Sequence, residues 1–227
     1  AAAVVASQLP SIEVVRFAAV YGLMICFVTT YALLEEHAGR QLRELGDRDG
    51  LTGCFNRRRF NEAMASLSKQ GDEITSWGVL LADVDHFKAI NDQRGHLEGD
   101  RVLCAVADVL QRALQADADR RRATLYRYGG EEFAVVVRGR TAHQLGLLAE
   151  ALRSAVAAGG HGLVPGEVTV SIGVAAWRQG AEPPEAALQR ADEALYAAKR
   201  SGRDRVQLAG SGGRASGESP VRYGPWT

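Results

Sequence analysis

Two strand-like segments, Tyr126 to Tyr128 and Phe133 to Val137, flank Gly129, Gly130, Glu131 and Glu132, a pair of glycines followed by a pair of carboxylates. The pattern predicts a hairpin tip that could hold phosphate and metal. Paired glycines permit positive φ and put no Cβ between the backbone and a bulky ligand, while strands on both sides fix the turn in space. Glu131 and Glu132 beside such a turn make a hard-oxygen site suited to Mg²⁺. The four residues alone are equally compatible with an ordinary hairpin carrying solvated acids.

A second pair of acids closes the continuous apolar run Trp77 to Val84, WGVLLADV, which predicts a buried strand ending at Asp83 and Asp85. The two carboxylates are expected to point to opposite faces, so that only one meets the hairpin tip. Alone they are as readily a solvated strand end. With Glu131 and Glu132 on a neighbouring hairpin they supply three or more hard oxygens that could converge on one or two metal ions. Phe87 and Lys88 open the next helix, where backbone amides and an ammonium can face phosphate oxygens. Lys199 and Arg203 end the last helix and could complete a cationic clamp, although cations at a helix end also serve as simple dipole complements. Asn91 and Asp100 are residue types that read guanine. A carboxylate accepts from its N1 and exocyclic amino hydrogens, and an amide pairs with an edge that both donates and accepts. In isolation each is equally a cap or a solvated side chain.

These groups need a scaffold, and the chain alternates helical and strand patterns. Asp49 to Asn56, DGLTGCFN, is rich in turn residues, and Arg57 to Lys69 reads as a helix with Phe60, Met64 and Leu67 on one face. His86 to Asp92 gives a short helix, Gly95 breaks it, and Gly99 to Leu114 makes a longer one. After the hairpin come a helix from Thr141 to Ala158, a strand from Val168 to Ala176 interrupted by Ser171 and Gly173, a helix from Glu185 to Arg200 and a closing edge strand, Arg205 to Leu208. Interleaved strands and helices over residues 49–208 argue for one α+β domain with a central mixed sheet flanked by helices. Residues 209–227, with GSGGRASGESP, bury almost nothing and read as a disordered tail.

The 227 residues, 46% hydrophobic and 24% charged, hold one domain of ordinary size plus appendages. Lysine plus arginine equals aspartate plus glutamate at 27 each, so no net basic field argues for nucleic acid as a partner. Cys26, Cys54 and Cys104 fall in no CxxC or Cys/His spacing, which points away from a disulfide framework or a zinc site and makes the reducing cytoplasm the natural setting. The amino end differs in kind. From Phe17 to Leu34 no residue is charged, and hydrophobicity runs all round the helix, so residues 1–34 are expected to be a membrane segment with a transmembrane helix over 17–34. A buried helix of a soluble domain is the alternative. Arg40, Arg43, Arg48, Arg57, Arg58 and Arg59 follow this span against Arg16 alone before it, which places the carboxyl side in the cytoplasm at the inner membrane. Leu34, Ala38, Leu42 and Leu45 continue at helical spacing, so residues 35–48 read as a short signalling helix that could pair with its own copy. The first residue is not Met, and the chain reads as a piece of a longer membrane protein.

The blocks DGLTGCFNRRRF, DVDHFKAINDQRGHLEGD, RYGGEEF, VTVSIGVA and ADEALYAAKRSGRDRV, in this order over residues 47–208, closely resemble the GGDEF family of diguanylate cyclases. The resemblance implies a fold like the palm of nucleotide cyclases and some polymerases. It also implies an activity, the joining of two GTP molecules into cyclic di-GMP with release of pyrophosphate by a homodimer. Carried onto this chain, it implies metal binding by Asp83, the carbonyl of Val84, Glu131 and Glu132, with Mg²⁺ as the ion and Mn²⁺ as its alternative. It makes Glu131 and Glu132 the catalytic pair, with Glu131 as the family's base for the 3′-hydroxyl. Substrate contacts fall on Phe87, Lys88, Asn91, Asp100, Gly129, Gly130, Lys199 and Arg203, with Asn91 and Asp100 at guanine and Lys88, Lys199 and Arg203 at the triphosphate. The chain departs from the family's Arg-x-x-Asp product site, where it carries Arg120 and Ala123, so feedback inhibition is expected to be weak or absent. A non-catalytic GTP or cyclic di-GMP receptor is the rival reading, and the intact acids argue against it.

Overall fold

The computed structural model describes residues 14–17, 19–33, 46–67, 76–117, 119, 122–160, 162–164, 166–178 and 180–210. The chain divides into two units between Asp47 and Arg48. In the first, Val14–Leu33 forms a helix, α1, long and apolar enough to cross a membrane. The expected signalling helix over 35–48 falls mostly on residues 34–45, outside the described residues.

In the second unit the order is α2 (Arg57–Leu67), β1 (Ser76–Val84), α3 (Phe87–Arg94), α4 (His96–Ala116), β2 (Ala123–Arg127), β3 (Glu132–Arg138), α5 (Ala142–Ala157), β4 (Val170–Arg178), α6 (Pro184–Arg200) and β5 (Val206–Leu208). The five strands make one sheet in the order β2-β3-β1-β4-β5. β1 lies at its centre, antiparallel to β3 and β4, while β5 joins β4 in parallel. The sheet is mixed and flanked by helices, as the interleaved patterns predict.

The central strand is apolar from Trp77 to Ala82 because helices cover both of its faces. Leu80, Ala82 and Val84 pack into a cluster with Val106 and Leu110 of α4 and with Leu148 and Leu152 of α5. Val79 and Leu81 belong to a second cluster with Phe60 and Met64 of α2 and Ala187, Ala191 and Leu195 of α6. A side chain fully buried in this way is worth about 1.5–3 kcal/mol in apolar transfer, which is why alternation disappears from the sequence here. Gly173 lets α6 approach closely: a Cβ there would lie 2.1 Å from the carbonyl oxygen of Ala191 and 2.3 Å from the amide nitrogen of Leu195.

Several boundaries differ from the sequence expectation. β4 runs unbroken from Val170 through Ser171 and Gly173 to Arg178, because register with β1 continues past both residues. α3 starts at Phe87 rather than His86, whose φ of 57° is left-handed and outside the helical range. α4 starts at His96, so Gly99 is inside the helix, where a Cβ would collide with Oδ1 of Asn91 at 1.9 Å. α2 ends at Leu67, and the expected continuation to Lys69 lies outside the described residues. Ala209, at the start of the expected tail, donates its amide to the Val174 carbonyl at 2.8 Å, and residues 211–227 lie outside the described residues.

Candidate active site at the end of the central strand

β1 and β3 run antiparallel with Asp83 directly opposite Glu132. Directly opposed residues share a sheet face, so both carboxylates stand on the side covered by α6. There Nζ of Lys199 meets Oδ2 of Asp83 at 2.7 Å. Asp192, on the same helix, is near enough to Glu132 and Lys199 to act on both electrostatically. The Asp83 carboxyl is pushed above its ordinary range first by burial, which the Lys199 contact partly offsets, and then by the Glu131 and Asp85 charges. Burial likewise raises Glu132, with Asp83 adding repulsion, and burial raises Asp192. The Lys199 ammonium acts on all three acids.

The two acids of the strand end do not point to opposite faces as expected. Residues two apart on a strand share a face, and Asp85 confirms it by accepting from the hydroxyl of Ser171, the cross-strand partner of Asp83, at 2.7 Å. Asp85 nonetheless does not reach the hairpin tip. Its other oxygen accepts from the Thr169 hydroxyl at 2.8 Å and the Asp204 amide at 3.0 Å, so only Asp83 faces the cleft.

That cleft, of about 400 Å³, is lined by Asp83, Val84, His86, Phe87, Lys88, Ala89, Asp92, Glu131, Lys199 and Arg203. It gathers the end of β1, the start of α3, the residue before β3 and the segment that ends α6. The Val84 amide donates to the Glu131 carbonyl at 3.2 Å, which ties the hairpin tip to the strand end. Phe87 is 7% exposed and anchors the start of α3 in the core, leaving Lys88 exposed at the mouth. Asn91 and Asp100 are not among the cleft's lining residues. They lie farther along α3 and on α4, where Gly99 lets the Asn91 amide settle against the neighbouring helix beside an exposed Asp100.

The hairpin tip departs from the expected conformation. Neither Gly129 nor Gly130 has positive φ. Gly129 is required by contact instead, since a Cβ there would lie 2.3 Å from Oε2 of Glu132, whereas a Cβ at Gly130 would meet nothing within 4 Å. The tip is closed by donation from the amides of Tyr128 and Gly129 to the Glu132 carbonyl at 2.8 and 3.1 Å.

Sequence reasoning passed over the group that holds the tip from behind. Arg127 donates to the Gly130 carbonyl from NH2 at 2.7 Å and from Nε at 3.2 Å, and from NH1 to Asp49 Oδ1 at 2.8 Å. Asp49 in turn accepts from the amide and hydroxyl of Thr52. The turn-rich segment Asp49 to Asn56 thus buttresses the glycine pair. Its signal in the sequence is the arginine two residues before Gly129 and an acid at the start of DGLTG, but nothing local pairs them.

The donor set suits a divalent cation in kind, because Asp83, Val84 and Glu131 line the cleft and carboxylate and carbonyl oxygens are the hard donors such an ion takes. Among the described residues no group of three His, Cys, Asp or Glu side chains is set to hold a metal by itself, and the Asp83 oxygen is engaged by Lys199. Remaining ligands would come from water and a bound polyphosphate. Ala123 opens β2 with no acid to offer, and Arg120 lies outside the described residues.

A five-stranded mixed sheet flanked by helices, with paired carboxylates opposite one another at the end of its central strand beside a cleft flanked by cations, defines an α+β domain with a charged site at one sheet end. Residues 47–205 match the family described as diguanylate cyclase, GGDEF domain, and the chain belongs to that family. It is 41% identical over 197 residues to diguanylate cyclase DgcM from Escherichia coli K12, covering 84% of this chain and 45% of that protein. It spans less than half the length of the curated relatives it matches. Among solved structures, the coiled coil and GGDEF domain of DgcB from Caulobacter crescentus, in complex with c-di-GMP, superposes with a TM-score of 0.66 at 32% identity, covering 84% of this chain and 99% of that one. The active GGEEF domain of a diguanylate cyclase from Vibrio cholerae is similar at TM-score 0.55 and 30% identity, over 70% of this chain and 99% of that one.

Proposed function

We propose that this chain is a diguanylate cyclase that condenses two GTP molecules into cyclic di-GMP and two pyrophosphates as a homodimer. One observation carries the reading: Asp83 near the end of β1 and Glu132 at the start of β3 stand opposite each other, beside a cleft lined by Asp83, Glu131, Lys88, Lys199 and Arg203. The signature here is Gly-Gly-Glu-Glu-Phe, the form named in the active domain from Vibrio cholerae.

In this reading Lys88, Lys199 and Arg203 bind the triphosphate, the open space over Gly130 admits its phosphates, and Asn91 and Asp100 hold the guanine. Asp83, Glu131, Glu132 and the Val84 carbonyl would hold Mg²⁺ or Mn²⁺, which when bound would supply charge neutralisation and lower the pKa of a coordinated hydroxyl. Glu131, at the mouth of the cleft, accepts the 3′-hydroxyl proton, and Glu132 fixes the charge balance behind it. Each domain presents one GTP, and two copies facing one another supply attacking hydroxyl and α-phosphate to each other, so that positioning is most of the catalysis. Helix α1 anchors the chain in the inner membrane with the catalytic domain in the cytoplasm. The Arg120 to Ala123 segment, lacking the acid of the family's product site, gives weak feedback inhibition or none.

The direct test is incubation of the chain with GTP and Mg²⁺ while pyrophosphate and cyclic di-GMP are followed and the dimer is verified by light scattering. Release of both products supports the reading. GTP binding by a verified dimer without pyrophosphate release overturns it in favour of a nucleotide-binding regulatory module.

A further inference from the structure

We propose that Asp85, the acid that does not face the cleft, is a positioning residue that presents Arg203 to the substrate. The inference rests on the reading of Arg203 as a triphosphate contact.

Asp85 is 4% exposed and accepts from the Thr169 hydroxyl, the Ser171 hydroxyl and the Asp204 amide. Its own amide donates to the Thr169 carbonyl at 2.9 Å. A buried carboxylate is tolerated only when its lone pairs are met by donors, and here two donors come from the start of β4 and one from the turn that follows α6. Asp85 therefore links the sheet to that turn.

The turn has a left-handed backbone at two successive residues. Arg203 and Asp204 have φ of 62° and 42°, both left-handed, a conformation that non-glycine residues adopt only where their surroundings enforce it. Three other contacts converge there. The Arg203 amide donates to the Ala198 carbonyl at 3.1 Å, Nε of Arg205 donates to the Arg203 carbonyl at 2.9 Å, and Arg153 of α5 pairs with Asp204 at 2.5 Å. Of these holds, Asp85 alone joins the Arg203–Asp204 step to the strand that carries Asp83. The Asp204 amide belongs to the peptide that joins Arg203 to Asp204, so holding it restrains the backbone from which the Arg203 side chain leaves. That side chain lines the cleft. Asp83 and Asp85 thereby divide the work of one strand end: the first offers its charge to the cleft, and the second spends its charge holding a cation in place.

The test is a double-mutant cycle of Asp85→Ala and Arg203→Ala in the full chain. Affinity is read for a GTP analogue with a non-cleavable α,β-methylene bridge in the presence of Mg²⁺, alongside turnover of GTP. Binding does not require chemistry, so absence of turnover in the parent chain counts against the cyclase reading and leaves the cycle readable. Asp85→Ala is expected to weaken analogue binding roughly tenfold while leaving kcat within about twofold, and to weaken it no further once Arg203→Ala is present. Asp85→Asn, which keeps an acceptor for the Asp204 amide and can donate to Ser171, is expected to restore affinity. Should Asp85→Ala lack a cooperative thermal transition, Asp85→Ser, too short to reach the Asp204 amide but still polar, takes its place in the cycle. Equal, additive losses in both backgrounds would overturn the inference. An Arg203→Ala variant that binds the analogue normally would overturn it together with the assignment of Arg203.

Discussion

Nζ of Lys199 is 2.7 Å from Oδ2 of Asp83, so without a ligand the cleft neutralises its own acid. The lysine side chain is 32% exposed and the aspartate 7%. Burial already raises the Asp83 carboxyl, and Lys199 opposes that rise. In Lys199→Met the folded pKa climbs further above the unfolded value of about 3.9. A carboxyl raised on folding gives most stability below its unfolded pKa and loses it as pH rises through the folded one. Thermal unfolding should therefore show Lys199→Met close to the parent at pH 5 and less stable at pH 8, by about 1–2 kcal/mol after allowing for solvent screening of a partly exposed pair. A difference that shrinks with rising pH would contradict the pairing.

Glu132→Gln removes a charge opposite Asp83 without changing shape. Repulsion among the acids is relieved, so the thermal midpoint should hold or rise while cyclic di-GMP formation falls by roughly a hundredfold or more. Near-normal turnover in this variant would remove Glu132 from the chemistry.

Asp100 is exposed on α4, away from the cleft that holds the acids. Asp100→Ala should leave stability within about 0.5 kcal/mol and reduce the preference for GTP over ATP by on the order of tenfold or more. Competition binding with the two nucleotides checks this, and unchanged discrimination would argue against base reading at that position.

With Ala123 in place of an acid at the start of β2, added cyclic di-GMP should barely slow initial rates. Strong inhibition at about micromolar product, in the range of an ordinary regulatory affinity, would show that another surface binds it.

For Asp49 burial acts to raise the carboxyl, but hydrogen bonds from Arg127 and Thr52 outweigh it and hold the group below its usual range. A group lowered on folding contributes stability above its unfolded pKa and loses it as pH falls through the folded value. Asp49→Asn should cost roughly 1–2 kcal/mol at pH 7, with the gap to the parent closing below about pH 4. A gap independent of pH would mean that the Arg127 pair is not what Asp49 contributes.

How much was legible in the sequence depended on the range of the interactions. β1 was readable because burial on both faces removes polar residues from the strand, and the acids at its end stood out against that background. The hairpin was readable from its glycines, yet their purpose was not: Gly129 yields to Glu132, a contact three residues away, rather than to a left-handed turn. Asp85 and Asp204 are 119 residues apart, and Asp49 and Arg127 are 78 apart, so no local pattern could join them. His86 looked like the first residue of a helix because its left-handed backbone leaves no trace in polarity or spacing.

Gly173 touches no substrate atom in any reading of this site, yet it governs the reach of the lysine. Leu195 rests against it, and Lys199 stands one turn beyond Leu195 on the same side of α6. A methyl group at this position would push the helix axis outward, and a side chain of fixed length would then fall short of the carboxylate. The residue without a side chain acts as the gauge block of the domain. A survey of substitutions scored by nucleotide affinity should find one of its steepest losses at a position that has no functional group to lose.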